Sequence, residues 1–400
     1  MTSTKDEGLT IVLAARCLCQ AHRFEAVVPR SSLPLQTTCC HCTSCRHLTG
    51  SLHSSATLWP GDGAAIRNSS LRRYGFSTSL TVLFCGLCGS TLFCEKAPPG
   101  GGPLIHVVIT GALENVNVPS LLKVTDHMFV GDTLDGGALP WLCGNDIDES
   151  SRPHIWKGAK GQGEELSPAA PLPAPEANTG SPDAEVSLRC HCGGVDLILR
   201  HPAVEFAGAE NADLKWFIDP VSKKSLCAFD ACDSCRMAFG TDVFYWTFAL
   251  LRHLAFPSTS DGDAQLGFPT SSHALEAAVV AENADRDPRL GTLAIYKSSP
   301  EVQRFFCSRC SACVFYGNDV RPEMVDVAVG LLHAKEGSRA EGLLSWNYGR
   351  IHWQEDAAGG WREEFVESVV ATAERWRIER GYPKNWRRVS REETAVEVQT

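Results

Sequence analysis

Cysteine is the residue that most distinguishes this sequence, and its densest run is TCCHCTSCR, residues 38–46. The chain of 400 residues contains 18 cysteines. Thiolate sulfur is the usual structural ligand of zinc, and in a reducing compartment cysteines serve as metal ligands or reactive groups rather than as disulfides. The spacing of the cysteines within each run therefore indicates whether they are metal ligands or reactive groups.

The run at 38–46 predicts a reactive metal site. Side chains alternate along an extended chain, so Cys40 and Cys42 face one way, Cys45 can join them, and Cys39 points to the opposite face. Zinc held by three protein ligands with an open fourth position is typical of a site that does chemistry. His41 is an alternative fourth ligand, but its place between two ligands turns it away and favours a neighbouring polar role.

The donor set indicates which chemistry such a site would support. Three thiolates on a divalent ion leave a formal charge of about −1, so the ion polarises water weakly and is better suited to hold another thiolate. The matching reaction is addition of a thiol to a carbonyl group, or cleavage of the resulting C–S bond. Arg46 follows the motif and is a candidate ligand for a substrate carboxylate, with a salt bridge as the alternative.

Two further cysteine sets predict closed structural zinc sites. Each combines a CxC pair with a CxxC pair, and four thiolates in a tetrahedron complete the coordination of zinc and stabilise a small domain without chemistry. The two sets are Cys17, Cys19, Cys85 and Cys88, and Cys190, Cys192, Cys307 and Cys310.

The order of these motifs repeats along the chain, which indicates two tandem copies. In the second copy Asp230 stands where the first has Cys40, followed by Cys232 and Cys235. These three residues are candidate ligands of a weaker fourth zinc, but we favour partial loss of the site. The second copy would then serve as a structural scaffold, form one wall of the substrate site, or be a catalytically inactive copy of the enzyme domain (a pseudo-enzyme).

The pattern of short β-branched and aromatic runs predicts a mainly β protein of antiparallel sheets. We expect one domain over 8–157, a Pro- and Ala-rich linker over 161–185, and a second domain over 186–385 with an inserted loop near 256–291. Apolar residues at helical spacing over 365–376 predict a C-terminal helix that ends before Gly381.

The composition of the chain limits the binding partners and the cellular location that we expect. The formal net charge of −10 at pH 7 argues against nucleic acid and anionic membrane as partners. The polar start MTSTKDEGLT lacks the apolar core of a signal peptide, and no apolar run reaches the roughly 18 residues of a membrane span. We expect a cytoplasmic protein acting on small molecules; its oligomeric state is left open.

The order CxC, CHCxxCR, CxxCG resembles the glutathione-dependent formaldehyde-activating enzymes, and residues 127–142 resemble the closing segment of fungal members. The resemblance covers 8–157 and, more weakly, 185–385. It implies a β-tent fold in both copies and a structural zinc and a reactive zinc in the first. The reactive zinc falls on Cys40, Cys42 and Cys45, with Arg46 and His41 beside the substrate.

Two functions from different classes follow. The first is a zinc-dependent carbon–sulfur lyase or synthase that acts on a thiol such as glutathione and an aldehyde or its thiol adduct. The second is a non-catalytic zinc-stapled binding module resembling centromere protein V, a relative of the same family. The complete three-cysteine set favours the enzyme, because a structural module needs no open zinc.

Overall fold

The structure is a computed structural model that describes residues 9–98, 100–143, 152–167, 184–258 and 267–399. Within these residues most of the ordered chain is β-strand, which confirms the predicted fold class. Most strand pairs are antiparallel, and two halves of the chain each build one large sheet and one small sheet.

The first half contains ten strands, of which β1 and β2 form a separate antiparallel hairpin. They are β1 (Thr10–Arg16), β2 (Arg23–Pro29), β3 (Leu35–Cys40), β4 (Ser54–Leu58), β5 (Arg72–Gly75), β6 (Leu80–Phe84), β7 (Thr91–Lys96), β8 (Ile105–Ile109), β9 (Leu122–Met128) and β10 (His154–Ile155).

The second half contains eleven strands. They are β11 (Glu185–Arg189), β12 (Asp196–Arg200), β13 (Ser225–Asp230), β14 (Phe244–Leu250), β15 (Leu254–Ala255), β16 (Leu293–Ser299), β17 (Val302–Cys307), β18 (Cys313–Asn318), β19 (Met324–Ala328), β20 (Leu332–His333) and β21 (Leu344–His352).

The described helices are short except near the C-terminus. They are α1 (Thr43–Thr49), α2 (Gly63–Arg67), α3 (Leu139–Leu142), α4 (Ala203–Phe206), α5 (Asp233–Phe239), α6 (Ser272–Val280), α7 (Arg362–Glu379) and α8 (Trp386–Gln399).

The two large sheets have matching strand order. The first runs β10-β9-β3-β4-β8-β7-β6-β5, and the second, taken from its other end, runs β21-β13-β14-β19-β18-β17-β16. In both, the strand that leads into the CxxCR motif pairs in parallel with a late strand, β3 with β9 and β13 with β21. This equivalence supports the interpretation of the chain as two copies of one fold.

The halves contact each other through a reciprocal pair of backbone hydrogen bonds. The Gly111 amide donates to the carbonyl of Gly240 at 3.2 Å, and the Gly330 amide donates to the carbonyl of Gly50 at 2.8 Å. Gly50 and Gly240 end α1 and α5 with left-handed φ values of 84° and 76°. Each helix that carries the second cysteine and the arginine of a CxxCR motif is therefore held at its end by the other half.

The hydrophobic core crosses between the halves. Leu48, Ile109 and Trp141 from the first half belong to the same buried cluster as most of the second half's core. Trp361, at the start of α7, is buried in the core of the first half. Burial of such large side chains from both halves stabilises the contact between the two sheets.

The structure adds detail to three of the sequence-based predictions. The linker was placed too early at 161, because Glu165 bridges to Trp156 and the Leu166 amide donates to the Ile155 carbonyl at 2.7 Å; residues 168–183 lie outside the described chain. The insertion is not only a loop, since α6 buries Leu275 in the core. The predicted C-terminal helix is confirmed as α7, and α8 follows it unpredicted.

Candidate active site

The first closed cluster lies where β1 and β6 end. Cys17 and Cys19 follow β1, and Cys85 and Cys88 follow β6, with all four sulfurs within 4.8 Å of one another. The Sγ atoms of Cys17 and Cys19 are 3.5 Å apart, and those of Cys19 and Cys85 are 3.6 Å apart. A zinc tetrahedron with bonds of about 2.3 Å has edges of about 3.8 Å, so these residues fit a zinc ion.

The second closed cluster has the same geometry in the other half. The Sγ atoms of Cys190 and Cys192 are 3.6 Å apart, and those of Cys192 and Cys307 are 3.5 Å apart. The Cys310 amide donates to the Cys307 sulfur at 3.3 Å, as in a metal knuckle. Ser311, which replaces the usual glycine after the motif, takes the left-handed conformation with a φ of 70°. The substitution therefore leaves the knuckle intact.

The open cluster is built where β3 passes into α1. Cys40 ends the strand, Cys42 is the residue that caps the helix, and Cys45 lies in its first turn. The three sulfurs lie within 4.8 Å of one another, and the Cys45 amide donates to the Cys42 sulfur at 3.2 Å. Hydrogen bonds from the Cys40 and Cys45 side chains lower the pKa of Cys42. The cluster thus favours a deprotonated donor, and its sulfurs fit a metal with one position left open.

Arg46 lies beside this cluster and is only 5% exposed. Its Nη2 donates to the Thr43 hydroxyl at 3.1 Å, while its Nε has no hydrogen-bond partner among the described residues. Burial lowers the pKa of the guanidinium, and the charges of Asp135, Cys42 and Asp132 oppose this shift. A buried guanidinium with a free donor is suited to an anionic group of a substrate.

His41 is the other residue that the sequence places beside a substrate. Its ring is fully buried, and its Nε2 lies 3.0 Å from the Nδ1 of His127. The ring also stacks near that of His53, at 6.1 Å between centroids. These contacts bury the ring against two other histidines, and the role of His41 beside a substrate stays a prediction.

The second half borders the open cluster through a residue that the sequence patterns did not single out. The His191 amide donates to the carbonyl of His47, in the α1 helix that carries Cys45, at 2.9 Å. Burial lowers the pKa of the His191 ring. The Nδ1 of His191 lies 2.7 Å from the Tyr74 hydroxyl, and the ring stacks on Phe76 at 4.5 Å. Its position between two cysteines of the second CxC motif was the only available signal.

The motif of the second half does not form a fourth metal cluster among the described residues. Asp230, Cys232 and Cys235 are absent from the groups of ligand atoms that lie together. The Asp230 carboxylate instead accepts the Cys232 amide at 2.8 Å. The buried Arg304 donates from Nη1 to the Cys235 sulfur at 3.3 Å, so a guanidinium supplies positive charge beside these thiols. The predicted weak fourth zinc is therefore not supported.

Arg304 lies three residues before the second CxxC motif, the position that Val82 occupies before the first. Val82 is buried and apolar, so the first half has no equivalent cation at this place. The two halves thus differ at two positions: Arg304 replaces Val82 on the strand, and Asp230 replaces Cys40 in the motif.

Comparisons with known proteins agree with the cysteine geometry of the first half. Residues 12–132 match the family model of the glutathione-dependent formaldehyde-activating enzyme, and this segment contains all seven candidate metal ligands of the first half. A Schizosaccharomyces pombe protein described as an uncharacterized lyase is 26% identical over 112 residues, which are 28% of this chain and 77% of that protein. No solved structure matches the chain. Residues 12–132 are thus similar to the domain that this family model describes.

None of the helices in the described residues combines the length and the apolar character needed to cross a membrane.

Proposed function

We propose that this protein is a zinc-dependent carbon–sulfur lyase or synthase that acts on a thiol such as glutathione and an aldehyde. The observation that carries the proposal is a contrast among the cysteine clusters: two have four sulfurs, whereas Cys40, Cys42 and Cys45 have three. A four-thiolate site has no position for a substrate, and a three-ligand site keeps one. The family match of residues 12–132 and the name of the fission-yeast relative support the same class.

A zinc ion at the open cluster would supply a position that binds a substrate thiolate and keeps it nucleophilic. In the forward direction a bond forms between the thiol sulfur and the aldehyde carbon, and the thiol proton ends on the former carbonyl oxygen. Cleavage reverses both transfers. Arg46 binds an anionic group of the thiol through its free Nε and so orients the sulfur toward the cluster.

The second half serves as a wall and scaffold in this proposal. His191 and the residues that hold it limit access to Cys42 from one side. The positive charge of Arg304 lies beside the Cys235 sulfur and would compensate the negative charge of a thiolate there, so the second motif needs no metal ion for this purpose. We therefore assign the reaction to the first half alone.

The test compares two cysteine variants of the full chain with the wild type. Thiols and aldehydes are supplied as a panel, and exchange with the hemithioacetal is read by NMR. Cys42→Ser should abolish the exchange and leave the melting temperature near that of the wild type. Cys85→Ser should lower the melting temperature, because it opens a closed cluster that stabilises the domain.

Two results would contradict the proposal. If both variants lost only activity, or both lost only stability, the division into reactive and structural clusters would be wrong. If the zinc-loaded wild type exchanged no member of the panel while remaining folded, the non-catalytic binding module would be the better description.

A further inference from the structure

A cavity of about 380 Å³ lies between the two halves, on the opposite side of β3 from the open cysteine cluster. Thr37 and Cys39 of β3 line it, whereas Cys40 faces the cluster. Side chains along a strand alternate between its faces, which separates the two sites by the thickness of one strand. The α7 helix of the second half closes the cavity with Phe365 and Val369.

Two buried polar atoms of the lining residues lack a partner. The Thr37 hydroxyl and the Nδ1 of His53 make no hydrogen bond within the described chain, and the two residues are only 1% and 2% exposed. An unpaired buried polar group costs about 1–3 kcal/mol, so such groups in a native protein usually have a partner. Both residues line the cavity, which provides the space for one.

The charges around the cavity favour a neutral occupant. The Asp242 carboxylate is already engaged, since it accepts Arg362 Nε at 2.7 Å and the Thr110 hydroxyl at 2.6 Å. Burial lowers the pKa of His53 to about 4, so its ring is uncharged at neutral pH. The other charged lining residues are Lys123 and Glu364, which carry opposite charges and are both exposed.

The rest of the lining combines the small polar side chains of three serines with apolar and aromatic side chains. Trp141 and Leu142 contribute from the first half, and Trp361, Phe365 and Val369 from the second. The indole nitrogens of both tryptophans are occupied, by the Tyr245 hydroxyl and by the Glu114 carbonyl, and so offer no further hydrogen bond. Aromatic walls of this kind bind flat apolar molecules well.

We propose that this cavity is a second binding site, for a neutral aromatic molecule with one hydroxyl or carbonyl group. The aromatic part lies between Trp141 and the start of α7, and the polar group hydrogen-bonds the Thr37 hydroxyl and His53 Nδ1. Because both halves line the cavity, the bound molecule also stabilises their contact. The site is independent of the reaction proposed for the open cluster.

The test uses 2-naphthalenemethanol as the probe and the intact chain. Binding is followed by fluorescence anisotropy and calorimetry, and we expect saturation with a Kd on the order of 0.1 mM. Thr37→Val keeps the side-chain shape and removes the hydroxyl, so it should weaken binding about fivefold. The anion 2-naphthoate should bind at least tenfold more weakly than the alcohol.

A matched pair of variants on α7 locates the site. Ser368 lines the cavity and Glu367 does not, and both are exposed. Ser368→Trp should therefore fill the entrance and abolish binding, whereas Glu367→Trp should leave it unchanged. Cys42→Ser should also bind normally, which separates this site from the proposed reaction.

Three outcomes would overturn the proposal. In the first, the folded wild type shows no saturable binding of 2-naphthalenemethanol. In the second, Ser368→Trp and Glu367→Trp change the binding equally. In the third, the alcohol and 2-naphthoate bind with equal affinity. The first would mean that the orphaned atoms are served by water, and the second that the probe binds elsewhere. The third would remove the argument for a neutral ligand.

Discussion

Replacement of Gly330 by alanine tests the contact between the two halves. Gly330 lies in a short 3-10 turn, Val329–Leu331, and its amide donates to the Gly50 carbonyl at 2.8 Å. A methyl group added there would stand 2.6 Å from the Gly50 carbonyl carbon and would overlap the carbonyl oxygen of Ser51. Because these neighbours are backbone atoms, a rotamer change cannot relieve the overlap.

The expected cost follows from this geometry. Overpacking of a well-packed interior costs typically about 1–3 kcal/mol, and the shift needed here also stretches a backbone hydrogen bond. We expect the free energy of unfolding to fall by about 3 kcal/mol. For a half of 150 to 200 residues this corresponds to a decrease in melting temperature of roughly 6–12 °C.

The assay is thermal unfolding of the zinc-loaded chain, followed by calorimetry. Gly208→Ala is the matched control, because a methyl group there meets no atom within 4 Å and the residue is not left-handed. The control should change the melting temperature by little or raise it slightly. Gly111→Ala, at the reciprocal contact, would place its methyl 2.5 Å from the Thr241 amide nitrogen and should behave like Gly330→Ala.

The same variant should also affect the active site. Gly50 ends α1, the helix that carries Cys45 and Arg46, so a displaced helix end moves both side chains. A melting temperature of Gly330→Ala equal to that of Gly208→Ala would refute the reasoning, because it would mean that the two halves do not pack at this turn.

Three further predictions concern the metal sites. Chain purified under reducing conditions should carry two tightly held zinc ions and a third that chelators remove more easily; a metal content below two per chain by mass spectrometry contradicts the assignment. Asp230→Ala should change turnover little, whereas Cys40→Ala should abolish it. The zinc content is measured on both variants. If Asp230→Ala lost activity while the first half kept its zinc, the second half would hold the reactive site. Hydrogen bonding by the Cys235 side chain, backbone amides and lastly the charge of Arg304 lower the pKa of Cys232 to about 6, whereas burial raises it. Arg304→Met should therefore slow alkylation of Cys232 by iodoacetamide most at pH 6, where the thiol is partly ionised, and less at pH 7. An unchanged rate at pH 6 would remove Arg304 from that role.

The cysteine clusters are the part of the site that could be predicted from the sequence. CxC and CxxC are local patterns, and the direction of their sulfurs follows from strand alternation and tight turns within a few residues. The pairing of Cys17 and Cys19 with Cys85 and Cys88 followed from the repeat of the motif order. Cys39 was likewise placed on the opposite face from its spacing, and it contacts Ser55 there.

The role of the second motif could not be predicted in the same way. The change to Asp230 was visible, but a carboxylate is an acceptable zinc ligand, so the sequence left a fourth metal open. The contact of Arg304 with the Cys235 sulfur argues against a fourth metal, and Arg304 is 69 positions from Cys235 along the chain. Arg304 lies on β17, which is four places from β13 in the strand order of the sheet, so the contact depends on the tertiary fold and no local pattern reports it.

By itself, the sequence determined the fold class, the repeated motif order and the three cysteine clusters, because each depends on the short-range periodicity of strands and turns. Only the tertiary structure decided how the halves pack, where His191 borders the open cluster, and which atoms face the cavity beside Thr37 and His53. These features join residues far apart in the chain. Their positions depend on the register of strands and on packing across the two halves, which the periodicity of a single segment does not encode.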